Sequence, residues 1–386
     1  MSAHQSLSIF WVNDFPPVTS GIATFFVNIV RRLPPARVIV IAPAVPGGRE
    51  LDATLPFNVS RRYLPVGESG KDKLLKTGLT VIYAVLATAF RRGVRHHCGQ
   101  VLSSGLAGLI CKKLLHAPYW VYVYGSETVR LGQSRLAGRL MRNILNNSER
   151  IIANSQYTAD EFVRFGVDPK QIAIVYPGVD TCVFKPMLPD DELTTRYGLS
   201  GKRVLLTVAR LDERKGHDLV IRALATLTTD FPDLVYLIAG KGREGTRLQE
   251  LAEQSGVKNK VHFLGFVPEE ALPSVYNLCD VFVMPNRVTT ESTLVGDVEG
   301  FGISFMEASA CGKPVIAGRS GGAVEAVVDG ETGTLIDPGS LEELAEAIRQ
   351  LITDPELRRR LGDAGRQRAE ASYDWRLLAR QIEVWV

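Results

Sequence analysis

Short apolar runs alternate with helix-spaced patterns along almost the whole chain, and midway the alternation stops and begins again. The first set is Leu7 to Val12, Val38 to Ala42, Tyr119 to Val123, Ile151 to Ala153 and Ile172 to Tyr176. Between its first two runs, Ile22, Phe25, Phe26, Ile29, Val30 and Leu33 recur at the spacing of one helix face. The second set is Val204 to Val208, Leu234 to Ala239, Val261 to Leu264, Val281 to Met284 and Val315 to Ala317, with helical stretches such as Asp218 to Leu227 and Arg247 to Gln254 between them. Runs that are apolar at every position are covered on both faces, the condition of parallel strands layered between helices. The predicted class is therefore α/β. With 386 residues the chain exceeds what one hydrophobic core sustains, so two domains are expected. Proline and charge concentrate in Lys185-Pro186-Met187-Leu188-Pro189-Asp190-Asp191-Glu192, which reads as the linker between a domain over 1–185 and one over 190–370. Ligands of open parallel sheets sit at the carboxyl ends of strands, which predicts a site in an interdomain cleft.

Several function classes fall away on composition. The cysteines (Cys98, Cys111, Cys182, Cys279, Cys311) are scattered and lack CxxC or histidine pairing, which argues against a disulfide framework or structural zinc and predicts a reducing cytosol. Met1 to Phe10 lacks the basic start and apolar run of an export signal, and the longest apolar stretch, Leu79 to Phe90, is too short to cross a bilayer. Charge is unevenly divided: residues 1–185 carry 22 Lys and Arg against 11 Asp and Glu, while 186–386 carry 23 against 31. A basic first half predicts an anionic partner, such as a phospholipid surface or a phosphorylated acceptor. Its cations concentrate in Arg91-Arg92-Gly93-Val94-Arg95, in Lys112-Lys113, and in Arg130, Arg135, Arg139 and Arg142. Over Leu131 to Leu145, the last three recur at helical spacing beside Leu136, Leu140, Ile144 and Leu145. That pattern is either a basic amphipathic helix lying on anionic lipid or an ordinary surface helix with a solvated face. No RNA-binding signature or interleaved aromatic platform is present, so nucleic acid is not an expected partner.

The strand ends carry the chemistry. After the first strand, Asn13 to Ser20 leads to Gly21 at a helix start, where backbone can approach a pyrophosphate; no GxGxxG is present, which disfavours a dinucleotide cofactor. After Val204 to Val208 come Arg210 and Lys215, two cations that repel unless an anion joins them or Asp212 and Glu213 neutralise them. Gly240-Lys241-Gly242 reads as a tight turn beneath a nucleotide or as a plain turn. Gly265-Phe266-Val267-Pro268 offers an apolar wall to a base, and Met284-Pro285-Asn286-Arg287 leads into a polar loop ending at Glu299. Gly318-Arg319-Ser320-Gly321-Gly322 opens another helix. Five consecutive strand ends with glycine, a cation or an acid are far more specific together than any one of them.

In Glu299-Gly300-Phe301-Gly302-Ile303-Ser304-Phe305-Met306-Glu307, two acids bracket a stretch whose glycines resist helix. The helix is expected to open near Ile303, leaving Glu299 at its mouth and Glu307 one turn inside. Unpaired N–H groups there suit phosphate or sugar hydroxyls, and both carboxylates can accept hydrogen bonds from diols.

On these residues the chain resembles the retaining glycosyltransferases of family 4, and the likeness is strongest from Leu205 to Pro338. The acid-x7-acid element is Glu299 to Glu307, the basic pair Arg210 and Lys215, and the N-terminal glycine turn Ser20-Gly21; Cys311 to Ala317 and Gly330-Glu331-Thr332-Gly333 also match. Met284-Pro285 with the longer loop to Asp297-Val298-Glu299-Gly300 is similar to the branch that mannosylates phosphatidylinositol and related lipids. The resemblance implies a GT-B fold of two facing Rossmann-like domains, with a last helix over 374–386 packing back on the first. It implies a hexosyltransferase using a nucleotide sugar, first GDP-mannose, and a lipid-linked or anionic hydroxyl acceptor, working in the cytoplasm or at the inner membrane face. Glu307 would hold the ribose, Arg210 and Lys215 the diphosphate, Glu299 the donor sugar, and backbone N–H groups of Phe301, Gly302 and Ile303 would complete the site beside Val267. Fixed cations aimed at the departing diphosphate then lower the barrier, so no metal or other cofactor is expected. Many relatives carry histidine where this chain reads Val123-Tyr124-Gly125-Ser126-Glu127; Tyr124 either contacts the donor sugar or forms a wall. A sugar-nucleotide epimerase and a nonenzymatic nucleotide-sugar-binding module on the same fold are the alternatives.

Overall fold

The computed structural model describes residues 7–67, 69–91, 93–132, 134–289 and 296–384. Arg92 and the loop residues 290–295 lie outside that set, as do the side chain of Arg130 and the end of the expected last helix at 385–386. The chain forms two compact units, Met1–Pro177 with Trp375–Val386, and Gly178–Asp374.

The first unit holds a seven-stranded parallel sheet. Its strands are β1 (Leu7–Trp11), β2 (Val38–Pro43), β3 (Asn58–Arg62), β4 (Val94–Cys98), β5 (Tyr119–Val123), β6 (Arg150–Ala153) and β7 (Ile172–Ile174). They lie in the order β3-β2-β1-β4-β5-β6-β7. β5 is buried at every residue, as an all-apolar run between two helical layers must be. β3 and β4 were not legible as strands. β3 is an edge strand and polar. β4 carries His96 and His97 in the middle of the sheet, where each finds partners inside the protein. His96 accepts the Trp11 indole N–H on Nδ1 at 2.9 Å and meets the Thr88 hydroxyl through Nε2 at 2.8 Å, while His97 Nδ1 meets the Tyr122 hydroxyl at 3.0 Å. The helix Trp375–Glu383 packs against Gly21–Val30, with Trp375, Leu378 and Ile382 in the core beside Phe25 and Tyr122.

The second unit holds six parallel strands: β8 (Arg203–Val208), β9 (Leu234–Ala239), β10 (Val261–Gly265), β11 (Val281–Met284), β12 (Val315–Gly318) and β13 (Gly333–Ile336). The order is β10-β9-β8-β11-β12-β13. The stretch Lys185 to Glu192 lies within this unit, and Asp190 caps a short helix, Asp191–Arg196. Chain direction across the sheet reverses between β8 and β11, so their carboxyl ends part around a crevice. The loops that follow these two strands therefore face each other although they are distant in sequence.

The helix expected to lie on lipid, Arg135–Asn146, turns Met141, Ile144 and Leu145 into the core between β5 and β6. Leu140 is partly buried against the same core, while Leu136 is 79% exposed. Arg142 lies over the Phe165 ring at 4.9 Å, and Arg95 over Trp120 at 5.0 Å, so these two cations are partnered inside the unit.

Candidate active site

After β8 the backbone is held tightly. His217 Nε2 lies 3.2 Å from the Arg210 carbonyl oxygen, which can only accept, so this nitrogen carries the proton and donates. A Cβ on Gly240 would lie 1.9 Å from the Ala209 carbonyl oxygen, and one on Gly242 would lie 2.4 Å from that of Leu211. These glycines thus let the turns after β8 and β9 touch backbone to backbone, a reason for them beyond the nucleotide turn expected from sequence. Glu213–Lys215 then forms a single 3-10 turn that presents two consecutive cations toward β11.

The opposite loop delivers Glu299. Its Oε2 accepts from Arg214 Nη1 at 2.6 Å and from Lys215 Nζ, and Asp297 lies 3.6 Å from Arg214 Nε. The side chains of Arg214, Lys215, Glu299 and Asp297 are each 15% exposed or less. Burial pushes the Glu299 carboxyl up, but Arg214 and Lys215 outweigh it and hold its pKa at about 2. Burial brings Lys215 down to about 8, against the pull of Glu299 and with the repulsion of Arg214. Glu299 is therefore a fixed anion at neutral pH, able to accept hydrogen bonds and to face positive charge, not to give a proton.

Arg210 is elsewhere. Its side chain is 68% exposed and pairs with Asp212 at 3.0 Å, so the neutralisation foreseen for the basic pair holds for Arg210, while Lys215 meets Glu299. Arg214, unremarked in the sequence reading, takes the buried position beside Lys215. The run Glu213-Arg214-Lys215 showed two adjacent cations, but only the turn geometry shows both reaching one carboxylate.

The helix Ile303–Ala310 opens where the glycines predict. Gly302 caps it at φ +93, a conformation that favours glycine, and supplies no side-chain cap. The first-turn N–H groups of an α-helix have no partner within it, so this end is a natural seat for an anion. Phe301 is buried with its ring against Tyr373 at 5.5 Å, leaving its backbone as the part that can serve the site. Glu307 lies further along the helix and accepts the Tyr276 hydroxyl proton at 2.6 Å. Burial raises its pKa to about 7, with the Tyr276 bond opposing and Glu269 adding. Val267 is half-buried just after β10, beside an exposed Phe266.

Two expected residues belong to the first unit. Gly21 opens the helix Gly21–Val30, where the Ser20 hydroxyl accepts the Ala23 N–H at 3.1 Å. Tyr124 follows β5; its hydroxyl donates to the Gly99 carbonyl at 3.2 Å and its N–H to the Glu127 carboxylate at 3.0 Å. Its donor proton is thus committed to the backbone of its own unit. Among the described residues, no three His, Cys, Asp or Glu side chains gather as a metal site.

A doubly wound sheet with cations, an acid and an open helix end at its switch point is a seat for a phosphate-bearing ligand. Comparison with known proteins gives it a family. Residues 191–368 match the model of the glycosyl transferases group 1, and residues 19–182 that of Glycosyltransferase Family 4. A GDP-mannose-dependent alpha-(1-6)-phosphatidylinositol monomannoside mannosyltransferase of Mycolicibacterium smegmatis is 33% identical over 378 residues, covering 94% of this chain and 94% of that protein. The chain is a family 4 glycosyltransferase. It belongs with the phosphatidylinositol mannoside mannosyltransferases within that family. A second relative of this glycosyltransferase, a GDP-mannose-dependent monoacylated alpha-(1-6)-phosphatidylinositol monomannoside mannosyltransferase of Corynebacterium glutamicum, is 31% identical over 379 residues, covering 96% and 95% of the two chains. The glycosyltransferase also superposes on HepE of Anabaena, solved with UDP and glucose, at TM-score 0.81 and 22% identity, over 98% of this chain and 99% of the other. The sucrose-phosphate synthase of Thermosynechococcus elongatus gives TM-score 0.81 and 22% identity, with 98% of each chain covered. At that identity the likeness speaks for the fold, which is GT-B.

Proposed function

We propose that this glycosyltransferase moves mannose from GDP-mannose, with retention, to a hydroxyl of an anionic, lipid-linked acceptor of the phosphatidylinositol mannoside kind. The observation that carries the reading is the ion cluster of Arg214, Lys215 and Glu299 at the switch point of the second sheet. Nearly full-length relatives named as GDP-mannose-dependent enzymes of such lipids support the donor and the acceptor class.

Breaking the bond between the anomeric carbon and the diphosphate leaves negative charge on the phosphate and positive charge on the sugar. Lys215 and the open end of helix Ile303–Ala310 meet the first, and Arg210, free to swing, adds a second cation. An arriving diphosphate competes with Glu299 for Lys215, and Arg214 then remains as the counter-ion of Glu299. That carboxylate is left to orient the hexose hydroxyls, and Glu307 to take the ribose. In this reading the protein's own cations neutralise the leaving group, and transfer proceeds without a metal or other cofactor. The basic first unit receives the acceptor, at an anionic membrane face.

Thermal shift with GDP, UDP and ADP, followed by their sugars, tests the donor, since a ligand that favours the folded state raises Tm. Transfer of hexose from UDP-glucose with none from GDP-mannose refutes the assignment of mannose. Conversion of a sugar nucleotide into its epimer in the absence of any acceptor refutes transferase chemistry in favour of an epimerase.

A further inference from the structure

A buried chain of hydrogen bonds anchors the loop that carries Arg210, Arg214 and Lys215. It starts at His217, the first residue of the helix His217–Leu227, whose side chain is buried. His217 Nε2 lies 3.2 Å from the Arg210 carbonyl oxygen, and Nδ1 lies 3.1 Å from the Tyr236 hydroxyl in the middle of β9. That hydroxyl lies 2.7 Å from the Thr207 hydroxyl on β8, which reaches the Val283 carbonyl on β11. Thr207 and Tyr236 are fully buried. The chain thus ties the loop to β9, β8 and β11, close to where β8 and β11 part.

Counting protons fixes the tautomer. A carbonyl oxygen only accepts, so Nε2 carries the proton. Burial brings the pKa of His217 down to about 4, against the Arg210 carbonyl, Asp218 and Asp212 and with the repulsion of Lys215, so the ring is neutral at pH 7. A neutral ring has one N–H; Nδ1 therefore accepts, and Tyr236 donates to it. An apolar side chain would fill this place without the cost of burying an imidazole. What His217 adds is the bond to Arg210, whose carbonyl also accepts the Asp212 N–H at 2.9 Å. The other end of the loop is held from β11: the Arg287 N–H donates to the Arg214 carbonyl at 2.9 Å, and the Arg287 guanidinium meets Asp218 at 3.1 Å.

We infer that His217 is a positioning residue for the cations that meet the diphosphate: its Nε2–H, in the tautomer that Tyr236 fixes, sets the path of the loop from Arg210 to Lys215. The inference rests on the proposed function, in which Arg210 and Lys215 neutralise the leaving diphosphate. His217 acts through the backbone. Once the Arg210 carbonyl is released from the ring, the loop can turn, and the cations lose their aim at a charge that grows as the glycosyl bond breaks. The loss falls on catalysis and on phosphate binding, and it spares the nucleoside.

The test compares His217→Phe, which fills the space without a donor, with His217→Gln, whose amide can still donate to the Arg210 carbonyl and accept from Tyr236. In His217→Phe, kcat for transfer from GDP-mannose to phosphatidylinositol monomannoside in detergent should fall about tenfold and the Kd of GDP rise about threefold, while the Kd of guanosine stays put. His217→Gln should stay within about threefold of wild type in each. Tyr236→Phe should lower kcat, but adding it to His217→Phe should cost little more, because Tyr236 reaches the loop only through His217. In the 15N-labelled wild type, the His217 ring should remain the neutral Nε2–H form from pH 6 to pH 8. Wild-type kcat and GDP affinity in His217→Phe overturn the inference. So does an equal loss for GDP and guanosine, the mark of a residue that only supports the fold, and so does a His217→Gln as impaired as His217→Phe. An Nδ1–H ring in the wild-type spectrum overturns it without recourse to any variant. A wild type that binds UDP and uridine but not GDP overturns the donor reading instead, and the same phosphate-dependent loss, read on UDP against uridine, still supports the positioning role.

Discussion

Glu307 should couple nucleoside binding to proton release. In the free protein its carboxyl is raised to about 7 by burial, although Tyr276 donates to it at 2.6 Å. Its ordinary value is 4.5, so between pH 4.5 and pH 7 the folded protein holds a proton that the unfolded chain has released. Stability is therefore full below about 4.5 and falls as pH rises through 7, by about 3 kcal/mol in all. The ionised carboxylate is costly in the empty site. A ribose whose hydroxyls donate to it relieves that cost, so affinity should follow the ionised fraction. At pH 6 roughly one carboxyl in ten is ionised, and the Kd of guanosine should be about tenfold weaker than at pH 8. Guanosine is the right probe because it has no phosphate that titrates in this range. Calorimetry in buffers of different ionisation enthalpy should show close to one proton released per guanosine at pH 6. Glu307→Gln should bind with no dependence on pH between 6 and 8, and the empty variant should melt above the wild type at pH 8. A wild-type Kd that is the same at pH 6 and pH 8, or a variant with an unaltered slope, refutes the reasoning.

Arg210→Ala should depress turnover on the order of 100-fold by removing a cation that meets the leaving diphosphate, while Tm, read by calorimetry, barely moves because the side chain is solvated; unchanged kinetics would remove Arg210 from the mechanism. Gly240→Ala should lower stability by more than about 2 kcal/mol in urea unfolding, because the added methyl would lie 1.9 Å from the Ala209 oxygen at φ +145. His96 accepts the Trp11 N–H and is lowered by burial to about 4, so the unfolded chain takes up a proton between pH 6.5 and 4 that the folded protein refuses. Stability should accordingly fall with acid across that window, by about 2 kcal/mol from this residue at pH 5 relative to pH 7, and His96→Gln should remove that share of the slope in pH-dependent denaturant titrations.

Much of this architecture could be read locally. A strand buried on both faces is apolar throughout, so β5, β9 and β11 announced themselves to the residue. Gly302 and the residues after it placed the helix start at Ile303 because φ +93 and the change to helix-forming residues are both local facts. β4 was hidden because its two histidines look polar in sequence and become core residues only when Trp11, Thr88 and Tyr122 arrive from elsewhere. β13 begins with a glycine and β3 is an edge strand with two arginines, so neither carried an apolar signature.

The sequence by itself determined two α/β units, the identity of the site loops and the pair of acids that frame one helix mouth, since each follows from periodicity, turn chemistry or residue type over a few neighbours. Tertiary structure alone decided which charges meet. Lys215 and Glu299 are 84 residues apart and are joined because β8 lies beside β11, whereas Arg210, in the same loop, points to Asp212 and solvent. It likewise decided that the helix Arg135–Asn146 turns Met141, Ile144 and Leu145 inward and leaves Leu136 exposed. Period fixes that a helix has two faces; only packing selects the one that is buried.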